Sequence, residues 1–318
     1  MGTIMKFEEI SDVRLHKGMS VSDLIEAYEK IHGFNASHLA YAAKILVEGL
    51  RASDLRFLAF TGNLIATGIR GIIAQLIDEG FFDVVITTCG SVDHDIARAY
   101  GGKYLKGSFF VDDSELSEKG IHRLGNVFIP KESYGLIIEK FTKDLVNELV
   151  KIRRKWSVSE LLNKVGEKLK DNINSFLGAT YRRNVKVIVP GIVDGAFGTD
   201  LFIESQFANL EIDLFKDMKL LSDLIFKSRV STALIIGGGI SKHHTIWWNQ
   251  FKGGLDYAVY ITTAIEWDGS LSGARTHEAI SWGKIKHRAK HVTVYGDATI
   301  ILPIIALYLI ENKDEILK

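Results

Sequence analysis

One cysteine in 318 residues, Cys89, excludes an internal disulfide and any cysteine-based zinc site, and fits a reducing compartment. Taken locally, Cys89 reads as a small apolar residue just after a strand. Three prolines (Pro130, Pro190, Pro303) are too few to mark a hinge, and no Pro/Gly/Ser-rich stretch divides the chain. With 47% hydrophobic residues a large core is available, so one domain over residues 1–318 is expected, with 1–52 as an N-terminal helical region. Neither sign of charge dominates: 39 basic and 39 acidic residues leave no global field for nucleic acid or an anionic membrane. The longest apolar run, Ile300 to Ile310, is short for a membrane span and contains Pro303. The opening Met1–Lys6 has no signal-peptide apolar core and no Ser/Thr at the sixth position of a myristoylation motif. A soluble cytoplasmic protein acting on a small molecule or a protein is expected. No GxGxxG opens the first strand-to-helix turn, so an ordinary Rossmann dehydrogenase is not supported.

What is present is a recurring strand, loop and helix pattern. Val21 to Ile31 and Ala36 to Leu50 carry apolar residues at three-to-four spacing, the first behind a capping-box-like Ser20-Val-Ser-Asp23. Short apolar runs follow at Arg56–Phe60, Val84–Thr88, Val185–Val189, Ala233–Ile236, Tyr257–Thr262 and Val292–Tyr295. This pattern predicts an α/β fold, a Rossmann-like parallel sheet with helices on both faces. Between Lys140 and Leu177 lies a charged helical insertion with a second capping box, Ser157-Val-Ser-Glu160. Polar residues or glycines punctuate five strand ends: Thr88-Cys-Gly90, Asp194-Gly195, Gly237–Gly239, Thr262-Thr263 and Asp297. Ligands of open α/β sheets collect at such ends, so one shared crevice is expected.

Trp282-Gly283-Lys284 is the stretch that points to chemistry. A lysine stays charged in water, and partial burial against an aromatic wall lowers its pKa toward a neutral, nucleophilic amine. The competing reading is a surface lysine in the basic run Lys284, Lys286, His287, Arg288. Gly237–Gly239 bare the backbone for close approach of a ligand, or merely make a turn. Asp194 and Asp297 read equally as helix caps or turn residues, and Asn63 and Thr263 as local turn partners. His243 and His244 on a helix would point about 100° apart, so one can face a site while the other packs, and they cannot easily share one metal ion. No metal is expected.

The segments Glu266-Trp-Asp-Gly-Ser-Leu-Ser-Gly-Ala-Arg275 and Glu278-Ala-Ile-Ser-Trp-Gly-Lys284 closely resemble the active-site region of deoxyhypusine synthase. They are joined, in that family's order, by Gly62-Asn-Leu-Ile-Ala-Thr-Gly68, Gly120-Ile-His-Arg-Leu-Gly-Asn126, Val193-Asp-Gly-Ala-Phe-Gly198 and Gly237-Gly-Gly-Ile-Ser-Lys-His-His244. The resemblance implies NAD held without the GxGxxG fingerprint, by Asn63, Thr88, Gly90, Asp194, Gly239, Thr263, Asp268, Gly269 and Asp297. It implies Lys284 as nucleophile and His243 as proton acceptor. The substrate side would be Asp268, Glu278 and Trp282, since a buried polyamine needs carboxylates for its charges and an aromatic face for its methylenes. Spermidine as donor, the hypusine-bearing translation factor precursor as protein substrate, and a homotetramer with sites at subunit interfaces are implied as well.

Three departures stand out. Thr199 followed by Asp200 stands where eukaryotic relatives place an aspartate, and Leu271 stands where they place another, which leaves agmatine open as the amine. His94 stands where they carry a glutamate suited to a ribose hydroxyl, which leaves Asp93 or Asp95 as substitutes. A homospermidine-type aminobutyltransferase using a small amine, or a non-catalytic NAD-binding protein, are the other readings of the same residues.

Overall fold

The computed structural model describes residues 9–318, so the Met1–Lys6 segment and the opening of the N-terminal region lie outside the described residues. Six strands form one sheet: β1 (Leu55–Phe60), β2 (Val84–Ile86), β3 (Lys186–Ile188), β4 (Ser231–Ile236), β5 (Leu255–Thr262) and β6 (Ile285–Tyr295). Their spatial order is β6-β5-β4-β1-β2-β3, and every pairing is parallel. Parallel strands buried on both faces read as unbroken apolar runs, which is why these segments showed no polar alternation.

The side chains nevertheless divide by parity. Leu58 and Phe60 of β1, Leu234 and Ile236 of β4, and Val259 and Ile261 of β5 enter one apolar layer. Phe57, Ala59, Ala233, Ile235, Ala258 and Tyr260 enter the other. The first layer is covered by helices Val21–Ile31, Ala36–Ala52, Ile69–Asp78, Cys89–Ala99 and Ala298–Glu311. The second is covered by Leu214–Lys227, Gly239–Gln250 and Thr276–Ser281. The fold is thus a doubly wound, Rossmann-like α/β sheet. From β1 the chain winds outward through β2 to β3, and from β4 it winds the opposite way through β5 to β6. The switch point between β1 and β4 opens a crevice at their carboxyl ends.

Both capping boxes form, at Ser20/Asp23 and Ser157/Glu160, and the charged insertion is helical over Gly135–Ile152, Val158–Leu169 and Phe176–Arg182. Two features differ from the sequence pattern. β6 begins at Ile285, seven residues before its apolar run, because its first half is polar and the register against β5 shifts between Leu255 and Tyr257. A small antiparallel sheet, Leu105–Lys106, Ile121–Leu124 and Val127–Pro130, was not foreseen. Its Gly125-Asn126 turn, with Gly125 at φ 60°, carries the hairpin signal that was available in the sequence. Among the described residues no helix is long and apolar enough to cross a membrane.

Candidate active site

Glycines draw the strand-end loops together. A Cβ on Gly62 would lie 2.9 Å from the Gly90 and Ser91 backbone, one on Gly237 2.9 Å from Thr61 Oγ1, and one on Gly238 2.1 Å from Ser272 Oγ. A Cβ on Gly195 would lie 2.6 Å from Asp93 Oδ2. Only glycine permits these approaches, and Gly237 (φ 85°) and Gly239 (φ 60°) also hold left-handed backbone. The Gly239 N–H donates to Ser272 Oγ at 3.1 Å, Thr262 Oγ1 donates to the Ser272 carbonyl at 3.2 Å, and the Gly296 N–H donates to the Thr262 carbonyl at 2.9 Å. Through these contacts the loops bearing Asn63, Thr88, Gly90, Asp194, Gly239, Thr263 and Asp297 follow one another around a single rim at the switch point.

Their local partners are modest. Asn63 Oδ1 accepts from Thr61 Oγ1 at 2.6 Å, and Thr88 begins the Cys89–Ala99 helix with no side-chain cap bond. Asp297 caps the Ala298–Glu311 helix through the Thr299 N–H at 2.7 Å. Asp268 accepts the Ser270 N–H at 2.6 Å, and its hydrogen bonds from Ser270 keep its carboxyl below the usual range. Gly269 turns the chain there at φ 71°.

Asp93 and Asp95 require correction as ribose partners. Asp93 is buried and accepts the N–H groups of Ala196 (3.0 Å) and Phe197 (2.8 Å) and the Tyr134 hydroxyl (3.0 Å). Asp95, equally buried, pairs with Arg70 at 2.6 Å and accepts from Ser175 Oγ (2.8 Å) and the Leu177 N–H (2.9 Å). Both carboxylates are consumed by the protein interior. His94, between them, shares a hydrogen bond with the Tyr104 hydroxyl at 2.7 Å, and burial pushes it down to about 4.

Lys284 occupies a separate cleft of about 180 Å³ on the second face, with Lys242, His243, Tyr260, Glu278 and Trp282 among its walls. The Thr276–Ser281 helix and the left-handed Gly283 (φ 67°) bring the chain into β6, where the Lys284 carbonyl accepts the Leu255 N–H at 3.0 Å. Its side chain is buried, with Nζ 5.1 Å from the Trp282 ring centroid and 6.0 Å from that of Trp247. The aromatic wall expected beside Lys284 is therefore doubled. His243 stacks on Trp247 (5.7 Å, 18°), and burial followed by the Lys284 charge holds its imidazole below its ordinary value. At neutral pH it is an uncharged proton acceptor. His244 turns inward, accepts the Trp248 indole N–H at 3.1 Å, and is pushed down by burial to about 4. The two imidazoles take different surroundings, as the helical angle implies.

Not every candidate joins this cleft. Thr199 and Asp200 lie on the Ala196–Ala208 helix and do not line it, and Asp268 is exposed on its own turn. The Thr199 hydroxyl donates to the Gly195 carbonyl at 2.9 Å, while burial, Glu139, Asp93 and Glu204 push Asp200 up to about 6. Two clefts of about 580 and 600 Å³ flank the Leu214–Lys227 helix, and neither includes Lys284.

Sequence reasoning missed Lys242. It is buried, donates to the Ala274 carbonyl at 2.6 Å and stands 4.3 Å from the Tyr260 ring centroid. Burial draws it down to about 8, with Glu278 opposing. Its place in the polar-looking string Ser-Lys-His-His gave no sign of this, because both partners come from distant segments.

The family profile of deoxyhypusine synthase matches residues 23–309. A probable deoxyhypusine synthase of Aeropyrum pernix is 57% identical, covering 96% of this chain and 99% of its own length. One from Sulfurisphaera tokodaii is 56% identical, covering 95% and 97%. In three dimensions the chain is similar to a crystal structure assigned as a deoxyhypusine synthase from Entamoeba histolytica, with TM-score 0.64, 21% identity, and 92% and 93% of the two chains covered. With this much of the chain matched at this identity, the chain belongs to the deoxyhypusine synthase family, enzymes of hypusine biosynthesis that transfer an aminobutyl group.

Proposed function

We propose that this enzyme takes the 4-aminobutyl group of spermidine onto Lys284 as an imine and passes it to one lysine of the hypusine-bearing translation factor precursor, releasing 1,3-diaminopropane, in the cytoplasm. The observation that carries this reading is Lys284 itself, a buried amine beside two indoles with the His243 imidazole in the same cleft. The bare backbone of Gly237–Gly239 and the close Gly62–Gly90 approach suit a dinucleotide at the switch point. Asn63, Thr88, Gly90, Asp194, Gly239, Thr263, Asp268, Gly269 and Asp297 are the residues that would hold it. NAD, when bound there, would supply a hydride acceptor and later return the hydride, so the transfer needs no outside oxidant.

The chain's own groups do the rest. His243 takes the proton lost from the internal amine. Lys284 Nζ attacks the butyl carbon bearing that nitrogen, the bond between that carbon and the internal nitrogen breaks, and the nitrogen leaves as part of diaminopropane. Trp282 and Trp247 flank the resulting imine, and the acceptor lysine displaces Lys284 to receive the fragment before its reduction. Glu278 at the cleft opening takes a terminal ammonium; Asp268, Thr199 and Asp200 would act on the amine only from outside the cleft.

Incubation with NAD, spermidine and borohydride, without acceptor, should leave an aminobutyl adduct on Lys284 by intact mass and peptide mapping. No adduct with spermidine or agmatine would overturn the covalent reading. We further infer a homotetramer with sites at subunit interfaces, supported by the exposure of Trp247, Trp267 and Trp282 (39%, 78% and 65%) around the cleft and the neighbouring turn. Light scattering should give four chains per particle, and a fully active monomer would refute it.

A further inference from the structure

The rim loop 61–68 turns Asn63 outward while its neighbours Gly62, Leu64, Ile65 and Ala66 are buried. Its first turns close on themselves: the Leu64, Ile65 and Thr67 N–H groups donate to the carbonyls of Thr61, Gly62 and Leu64 at 3.3, 3.0 and 3.0 Å. The carbonyls of Ile65 and Thr67 accept instead from one distant nitrogen, Arg98 Nη1, at 2.8 and 2.5 Å. Thr67 receives besides only the long 3.4 Å bond from the Arg70 N–H among the described residues. Arg98 lies in the last turn of the Cys89–Ala99 helix, whose first turn already packs Gly90 and Ser91 against Gly62. One helix therefore grips the loop at both ends. The partners of Arg98 are also unusual for a cation that is half-buried. It forms no ion pair among the described residues, since Asp95, three residues before it, is taken by Arg70. Its guanidinium carbon stands 5.4 Å from the Tyr104 ring centroid, and the two carbonyls supply the rest of its setting.

We propose that Arg98 is a positioning residue for dinucleotide binding: by clamping the Ile65 and Thr67 carbonyls it fixes the loop that presents Asn63 to the cofactor. This rests on the dinucleotide reading above and goes beyond it, because Arg98 acts through the loop and not on the cofactor. Charge-assisted hydrogen bonds to two carbonyls hold two peptide planes of the loop in one orientation, and they are stronger than the neutral turns they extend. A loop ordered in advance loses little conformational freedom when its ligand arrives, so the gain appears as cofactor affinity and not as a faster chemical step.

Arg98→Met removes the donors and keeps an apolar stem. In the ligand-free protein, amide hydrogen exchange over 61–68 should quicken by about tenfold, and NAD titrated by calorimetry should bind about tenfold more weakly. Turnover at saturating NAD should stay within about twofold, so the loss falls on the KM for NAD and not on kcat. Arg98→Lys, which keeps a cationic donor, should recover most of the affinity. Arg182→Met controls for general loosening. Arg182 likewise donates to backbone carbonyls, those of Lys170 (2.5 Å) and Asn172 (3.4 Å), but on a loop outside the rim. It should lower the thermal midpoint and leave NAD affinity alone. Equal losses of NAD affinity in Arg98→Met and Arg182→Met, or none in Arg98→Met, overturn the proposal. Should Arg98→Met fail to fold, Arg98→Lys is compared with Arg98→Gln, and equal NAD affinities in those two overturn it. A wild type that binds no NAD overturns the dinucleotide reading and the role of Arg98 together, whereas a wild type and an Arg98→Met that bind NAD equally overturn Arg98 alone.

Discussion

Replacing Lys284 by Ala should lower turnover by roughly 10⁴-fold or more, while NAD affinity stays within about twofold of the wild type. The size follows from what the side chain does. Without Nζ no covalent bond holds the four-carbon fragment, and an imine formed in the cleft is lost to solvent instead of waiting, correctly oriented, for the acceptor. Lys284→Arg is the sharper variant. It keeps a cation between Trp282 and Trp247, but a delocalised guanidinium stays protonated and cannot attack carbon, so it should be as inactive as Ala. NAD affinity should be spared because Lys284 is not among the residues that would hold the dinucleotide, whose rim is built from the glycine loops. Steady-state product formation and NAD titration settle the matter. Turnover within tenfold of the wild type in the Ala variant would rule out Lys284 as the covalent carrier.

Much of this arrangement was legible because it depends on local rules. Helix Val21–Ile31 ends where its periodicity ends and starts at a capping box that forms as read. The split between His243 and His244 follows from helical geometry alone, with one imidazole stacked on Trp247 beside Lys284 and the other bonded to Trp248. The glycine rim was legible as punctuation at strand ends, although only packing reveals that Gly238 must lack a side chain because Ser272 stands against it. What sequence could not supply was long-range partnership. Lys242 looked solvated, yet the Ala274 carbonyl and Tyr260 draw it inside. Tyr260 looked like one more apolar strand residue, and nothing in Tyr257–Thr262 tells that its hydroxyl goes unpaired. The start of β6 was hidden for the converse reason, since its polar first half is a sheet edge segment with no apolar pattern to read.

Asp95 shows the same limit with the largest expected cost in stability. In Val92-Asp-His-Asp95 a carboxylate ordinarily faces water, so a ribose hydroxyl was a reasonable partner for it. Instead it closes a buried triad: Arg70, 25 residues earlier in sequence, and Ser175 and Leu177, 80 and 82 residues later, all donate to its two oxygens. The side chains of Arg70 and Asp95 are 6% and 0% exposed, so neither can recover hydration if the other is lost. Asp95→Ala strands the Arg70 charge, a Ser hydroxyl and a helix N–H in the interior, which should cost about 3–5 kcal/mol and lower the thermal midpoint by roughly 4–8 °C. Asp95→Asn, which keeps the shape and one acceptor, should fall between this variant and the wild type. The decisive comparison is NAD affinity measured well below the transition, where the protein is still folded. Structural duty predicts unchanged affinity with a lowered midpoint, whereas an unchanged midpoint with lost NAD binding would return Asp95 to the ribose and refute the buried triad as its role.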